Sequence, residues 1–369
     1  MHVFLLLVLD IGHAVFLSLT QTFTLSDMPS PKIICVTPVK NEAWILDRFL
    51  RCASIWADHI IIADQNSTDG SREIAKRYSK VILIDNHSTV FNEPQRQKLL
   101  IEESRKIKGD KILFALDADE CLTGNCLHNP EWKTLLKAEP GTIIKLQWVN
   151  LSPDMEHCWI PAQERAFGFV DDGKSKHSGR FIHSQRIPIP EQSTALSLKK
   201  IKVLHYQYTD WRRMQSKQRW YQMLERINEP SKSSVKIYRR YNHMYTAISK
   251  KLSPTKPEWF ASYFYHGIDM SSVISPFPYW WDLEAAEFIR CYKPGYFRSL
   301  DIWNYPWSIL KDDNQLIEDP RLFYEKLLHV WLGKTQPYLG DVPSASRSIY
   351  EMLVRKVISL LDRCLSRIF

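Results

Sequence analysis

The sequence of 369 residues has no Cys-x-x-Cys pair and no internal repeat, and only 12 of its residues are glycine. Each shortage excludes something. Without paired cysteines there is no zinc ribbon, and no recognition-helix pattern replaces it, so nucleic acid is not an expected partner. The seven cysteines, Cys35, Cys52, Cys121, Cys126, Cys158, Cys291 and Cys364, are scattered and odd in number. That argues against a disulfide framework and for a reducing compartment. Cys121 and Cys126 lie near an acidic cluster and are candidate soft metal ligands, but small apolar filler is the commoner role. Few glycines beside 13 tryptophans exclude a fibrous or low-complexity chain. Hydrophobic residues at 44% and charged residues at 24% fit a globular protein of one large domain or two smaller ones. The formal net charge of +8 suits an anionic partner, such as a phosphorylated substrate or an acidic membrane surface.

The opening "MHVFLLLVLDIGHAVFLSLTQTF" lacks what a targeting segment needs. No Lys or Arg precedes the apolar run, and Asp10 and His13 interrupt it. A spanning helix needs about 20 apolar residues with few charges, and a secretory signal wants a basic start and a small-residue cleavage site. Residues 1–29 are therefore expected to be an apolar leader or interfacial anchor rather than a span. The expected location is cytoplasmic, with peripheral contact at the inner face of the membrane.

From Pro31 the pattern alternates. "KIICVTPV", "HIIIAD", "KVILID" and "KILFALD" read as strands. "NEAWILDRFLRCASIWA" between the first two carries Ile45, Phe49, Cys52 and Trp56 at helical spacing. Ser67 or Thr68 is expected to cap the helix after the second strand, with Asp69 at its positive end. "EPQRQKLLIEESRKI" is a helix with Pro94 in its first turn. Continuous apolar strands separated by helices predict an α/β fold, with a mostly parallel sheet covered on both faces. Ligands of such sheets bind beyond the strand carboxyl ends, where Asp64 and Asp117 fall. Further strands are expected at "GTIIKLQWVN", "FIHSQRIPIP" and "LKKIKVLHYQY", and a helix over "DWRRMQSKQRWYQMLERINEP". The expected organisation is a catalytic domain over 30–230 and a helical, aromatic-rich extension over 231–369. That extension closes on an amphipathic helix whose apolar face is Leu353, Val357, Leu360, Leu361 and Leu365, beside Arg355, Lys356, Arg363 and Arg367. Packing of that face is the favoured expectation, with a membrane-surface helix as the alternative.

The chemistry is concentrated at "FALDADE", where an apolar strand ends in Asp117, Asp119 and Glu120. Carboxylates brought together repel unless something positive lies between them. A hard divalent cation, Mn²⁺ or Mg²⁺, that bridges carboxylates to a diphosphate would do this. A solvated acidic loop is the plain alternative.

"CVTPVKNEAWIL", "HIIIADQNSTDGSREIA" and "FALDADE", in this order and at strand ends, resemble the family 2 glycosyltransferases of the GT-A fold, with its Rossmann-like sheet. The resemblance runs from Ile33 to Glu120. It implies that Pro38, Asn41 and Glu42 lie along a nucleotide and that Asp64 contacts its base or ribose. Gln65 stands where the family often has a second acid, so the base contacts are left open. It further implies a metal and diphosphate site at Asp117 and Asp119, with Glu120 orienting it, Arg96 within reach of the diphosphate, and His205 as a further metal ligand ahead of His183. A metal-dependent, inverting transfer from a UDP- or GDP-sugar to a glycan, lipid-linked or protein acceptor follows as the expectation, as in polysaccharide biosynthesis. Its base is sought among Asp172, Asp171 and Glu164. The helix with Arg212, Arg213, Lys217 and Arg219 is a candidate to close over the diphosphate. The aromatic residues at 279–281 and 303–307 are candidates to stack on acceptor sugars, although core packing suits most of them. A non-catalytic GT-A-like glycan or nucleotide module is the alternative. A phosphohydrolase with Asp117 as nucleophile lacks its supporting lysine motif.

Overall fold

The computed structural model describes residues 30–248, 252–271, 275–307, 317–339 and 348–369. The apolar leader lies outside them. Residues Lys32–Phe369 form one compact unit, and no helix among the described residues is long and apolar enough to cross a membrane.

The alternation is as the sequence predicts: β1 (Lys32–Val39), α1 (Ala43–Trp56), β2 (His59–Asp64), α2 (Ser71–Lys76), β3 (Val81–Asp85), α3 (Glu93–Arg105) and β4 (Lys111–Ala115). Then come β5 (Glu120–Leu122), α4 (Pro130–Leu135), β6 (Ile143–Leu146), β7 (Trp148–Leu151), β8 (His157–Trp159), β9 (Arg165–Val170), β10 (Ala195–Ser197) and β11 (Val203–His205). The rest is mainly helical: α5 (Trp211–Asn228), α6 (Ser234–Tyr241), α7 (Met244–Ile248), β12 (Ser253–Pro254), α8 (Ala261–Tyr265), α9 (Trp280–Tyr292), α10 (Phe323–Thr335) and α11 (Ile349–Leu365).

Seven strands form the main sheet in the order β10-β6-β9-β4-β1-β2-β3. All its pairings are parallel except those of β9, which runs antiparallel to both β4 and β6. Helices cover both faces. Phe49 and Trp56 of α1 pack on one with Trp132 and Phe114, and Leu100 and Ile101 of α3 pack on the other with Ile34, Ile61 and Leu113. A smaller sheet, β12-β8-β7-β11-β5, branches from the end of β4. It carries the chain after the acidic cluster back beside β11, where His205 is paired with Glu120.

Three local expectations are corrected. "FIHSQRIPIP" is not a strand but an irregular segment; Pro188 and Pro190 remove the amides a ladder needs. The N-cap of α2 is Gly70, left-handed at φ 94° and without a side-chain cap; Asp69 Oδ1 accepts from Ser71 N–H at 3.0 Å, while Ser67 and Thr68 bond to Asn41. The apolar face read for α11 is largely solvent-facing, with Leu353, Val357 and Leu360 each more than half exposed. Of that face Leu365 does pack, and the helix docks through it together with Ile358 and Asp362, the last held by Arg239 at 2.8 and 3.0 Å.

Candidate functional site

The carboxyl ends of β1, β2 and β4 bring the three motifs together. After β1, Asn41 adopts a left-handed conformation (φ 56°) that Asn tolerates better than most residues. Its N–H donates to Ser67 Oγ at 2.9 Å and its Oδ1 accepts from Thr68 N–H at 2.8 Å. Asn41 therefore ties the β1 and β2 loops together. Glu42 continues the tie: its N–H donates to Ser71 Oγ, and its Oε2 accepts from Trp44 Nε1 and Arg213 Nη2, each at 2.6 Å. Burial raises the Glu42 carboxyl above its usual range, against the pull of Arg213.

Asp64 closes β2 fully buried. Its Oδ2 accepts from Arg72 Nη1 at 2.8 Å and Ser67 N–H at 3.2 Å, while its Oδ1 is buried with no hydrogen-bond partner. Gln65 Oε1 is a second orphaned acceptor, its amide nitrogen donating to the Ser88 and Val90 carbonyls. Two unfilled acceptors at one strand end suit a ligand that presents N–H or O–H groups.

The acidic cluster is neutralised from within the chain, by a residue the sequence reading passed over. Arg186 Nη2 lies 2.6 Å from Asp117 Oδ2 and 3.0 Å from Glu120 Oε1, and its Nη1 meets Glu120 Oε2. Glu120 is fully buried and also accepts from Trp148 Nε1 at 2.7 Å and Asp117 N–H at 2.9 Å. It holds the turn and the arginine, and does not face a ligand. The available signal was the charge count itself: three acids at a strand end call for a buried base, and Arg186 stands in the irregular segment after β9.

Asp119 differs. It is buried, its Oδ2 makes no hydrogen bond, and Lys217 Nζ stands 3.8 Å away. Burial alone would raise its carboxyl, but Lys217, His205, Arg213 and Arg186 together hold it down to about 2. His205 stacks on Trp148 with centroids 4.8 Å apart. Its Nδ1–H donates to Asn150 Oδ1 at 2.8 Å, which leaves Nε2 as the nitrogen with a lone pair. Burial pushes the imidazole down to about 4, so it is neutral near pH 7. An ionised carboxylate with an orphaned oxygen and a neutral imidazole in the ligating tautomer fit a divalent cation. Asp117, turned to Arg186, does not complete a set of three: among the described residues no group of three or more His, Cys, Asp or Glu side chains stands in metal-binding arrangement. Cys121 and Cys126 are buried in the core as filler.

A narrow cleft of about 60 Å³ separates Asp117 and Asp119 from Lys217 and Trp281, with Pro38 and Arg96 at its edge. Arg96 stacks on Phe91 at 4.4 Å, and its Nε is buried without a partner. Of the basic residues on α5, Arg213 and Lys217 face the cluster. Arg219 pairs with Asp282 at 2.8 Å and, with Arg212, lies on the other face of the helix.

The candidate bases are not brought to the cluster. Asp171 N–H bonds the Lys111 carbonyl at the start of β4, roughly 20 Å along the strand from Asp117 at about 3.3 Å per residue. There Arg105 clamps it through Nε and Nη2 at 3.1 and 2.8 Å. Asp172 beside it accepts from the N–H groups of Lys174 and Ser175. Glu164 is occupied by Lys199 and Ser197 Oγ at the β10 edge. His183 meets Tyr241 Oη at 2.9 Å and is not beside Asp119.

Residues 34–129 match the family described as Glycosyl transferase family 2. Two solved structures share a weak likeness, each over 48% of this chain. One is a 4-diphosphocytidyl-2C-methyl-D-erythritol synthase, 10% identical, TM-score 0.27, with 74% of that chain covered. The other is the inositol-1-phosphate CTP transferase from T. maritima, 7% identical, TM-score 0.29, with 90% of that chain covered. Similarity at that level carries no argument about fold or function. No curated protein matches the chain.

Proposed function

With residues 34–129 forming a family 2-type glycosyltransferase domain of the GT-A kind, we propose that this protein transfers a sugar from a UDP- or GDP-sugar to a glycan, lipid-linked or protein acceptor, with a divalent cation. The observation that carries the reading is the pair Asp119 and His205, one orphaned carboxylate oxygen beside one imidazole lone pair at the end of β4. Those two residues, with Asp117 released from Arg186, would hold Mn²⁺ or Mg²⁺. Bound there, the cation would offset the charge that grows on the leaving diphosphate.

The chain's own residues support the remaining work. Asp64 Oδ1 and Gln65 Oε1 are free to accept from a base or ribose. Arg96 and Lys217, at the cleft, are the cations for a diphosphate. An inverting course requires a base. Glu42 lines the cleft, keeps both its hydrogen bonds on Oε2 and has a raised proton affinity, which supports it in that role. A cleft of about 60 Å³ is far below the roughly 300–1,000 Å³ of small-molecule sites, so the wall formed by α5 and Trp281 must move to admit a donor.

Peripheral membrane contact belongs to the same reading. The solvent-facing stripe of α11, Leu353, Val357, Leu360 and Leu361, runs beside Lys356 and Arg363. Apolar surface next to cations suits an anionic lipid surface.

One observation favours a non-catalytic nucleotide- or glycan-binding module: Arg186 already neutralises Asp117 and Glu120 without a cation. Incubation with a panel of UDP- and GDP-sugars and Mn²⁺ separates the two readings. Release of UDP or GDP that is lost in Asp119→Asn supports the transferase. Binding without metal and without turnover supports the module.

A further inference from the structure

The helix α5 has a second working face. Arg213, Lys217 and Trp220 project toward the acidic cluster, whereas Arg212, Gln215, Gln218, Arg219 and Gln222 line a separate cavity of about 610 Å³ on the other side. Helical spacing separates the sets, since positions three and four apart share a face. The start of α9 divides in the same way: Tyr279 belongs to the cavity, and Trp280 and Trp281 to the cleft. The volume falls within the range of small-molecule sites. The family match over 34–129 does not reach this cavity, although Arg212, Arg219, Tyr279 and Tyr305, already singled out in the sequence, line it.

Its chemistry is specific. Gln218 is only 6% exposed, lines the cavity, and its side chain makes no hydrogen bond among the described residues. Its amide atoms are not among the enclosed orphans, so the little surface the residue keeps is polar surface open to a ligand in the cavity. Gln215 donates to Tyr245 Oη at 2.9 Å, and among the described residues its carbonyl oxygen accepts from none. Asn304 accepts from Arg321 at 2.9 Å, and among the described residues its amide hydrogens have no acceptor. The wall thus offers both donors and acceptors. Phe277, Tyr279 and Tyr305 supply ring surfaces beside them. The charges do not form a phosphate cradle: Arg219 is already paired with Asp282 at 2.8 Å and stacked on Tyr305, and Asp301 sets an acid in the same wall as Arg212.

We propose that this cavity binds a neutral saccharide, with hydroxyls on the amides of Gln215, Gln218 and Asn304 and a C–H face on an aromatic ring. Its role as the seat of a distal sugar of the acceptor, a helix's width of about 10 Å from the donor cleft across α5, rests on the glycosyltransferase reading. Saccharide binding as such does not.

The test uses the full chain on a printed array of mono- to tetrasaccharides without nucleotide or metal. Gln218→Leu and Phe277→Ala are compared with the wild type, and thermal midpoints and UDP or GDP affinity with Mn²⁺ are measured on all three. Wild type is expected to be retained on at least one saccharide, with retention about tenfold weaker or worse in both variants. The midpoint of Gln218→Leu should be unchanged or higher, because the free protein loses no hydrogen bond. Nucleotide affinity should not change. No retained saccharide, or Gln218→Leu retained as well as wild type, overturns the proposal. If Gln218→Leu does not fold, the decision passes to Phe277→Ala, whose ring is 54% exposed. Saccharide binding in a protein that turns over no sugar nucleotide defeats the transferase reading and leaves the cavity standing. Turnover without saccharide retention does the reverse.

Discussion

Arg186 Nη2 lies 2.6 Å from Asp117 Oδ2, and the same guanidinium holds the buried Glu120. The repulsion within Asp117-Ala118-Asp119-Glu120 is therefore relieved inside the chain, and the cluster folds without needing a cation. Removing one partner of a buried pair leaves the other charge uncompensated, at a cost of about 3–5 kcal/mol. Arg186→Met should lose that much in urea unfolding. Arg186→Lys keeps the charge but not the forked geometry, and should fall between Arg186→Met and wild type.

His205 sets a pH dependence. Burial holds its imidazole at about 4, against an ordinary value of 6.5. The unfolded chain takes up this proton near pH 6.5 and the native state only near 4, so the native state binds fewer protons in between. The contribution is full above pH 6.5 and is lost as pH falls toward 4. It amounts to about 3 kcal/mol. In chelator-treated protein, wild type should lose about that much more stability between pH 7 and 4 than His205→Gln does.

Gly168 sits in β9 between β4 and β6. A Cβ there would meet Ile144 Cδ1 at 2.9 Å and the Leu113 carbonyl oxygen at 3.1 Å. Gly168→Ala should destabilise by about 1–3 kcal/mol through overpacking, read as a lower urea midpoint with an unchanged slope.

The outward stripe of α11 gives a prediction with no stability cost. The double variant Leu353→Glu, Val357→Glu should keep the wild-type thermal midpoint, since both side chains are more than half exposed. Its co-sedimentation with anionic phosphatidylserine vesicles should be lost. Wild type should sediment with those vesicles less at high salt, and not with neutral ones.

What the sequence revealed follows from which physics is local. The strands from β1 to β4 are apolar runs, α1 carries its own apolar spacing and α3 its own cap in Asn92, so the first half of the main sheet was legible. So was the convergence of Asp64, Asp117 and Asp119, because parallel strands share one carboxyl edge. The candidate bases failed on strand direction. β9 runs antiparallel to β4, so Asp171 and Asp172 follow it to the opposite edge of the sheet, and composition does not reveal that reversal. Arg186 was missed because its segment alternates like a strand while acting as an irregular arm that delivers one guanidinium. On α11, the apolar stripe was visible, but the side that docks is set by Arg239 and Trp331, far away in sequence.

The central claim is that Asp119 binds a cation together with a nucleotide diphosphate. Its most direct test is titration calorimetry of UDP and GDP into wild type and Asp119→Asn, with Mn²⁺ and with chelator. The account predicts that one of the two nucleotides binds wild type with Mn²⁺, about tenfold or more weakly with chelator, and equally weakly to Asp119→Asn under both conditions. Equal affinity in both proteins, with and without the metal, would contradict it.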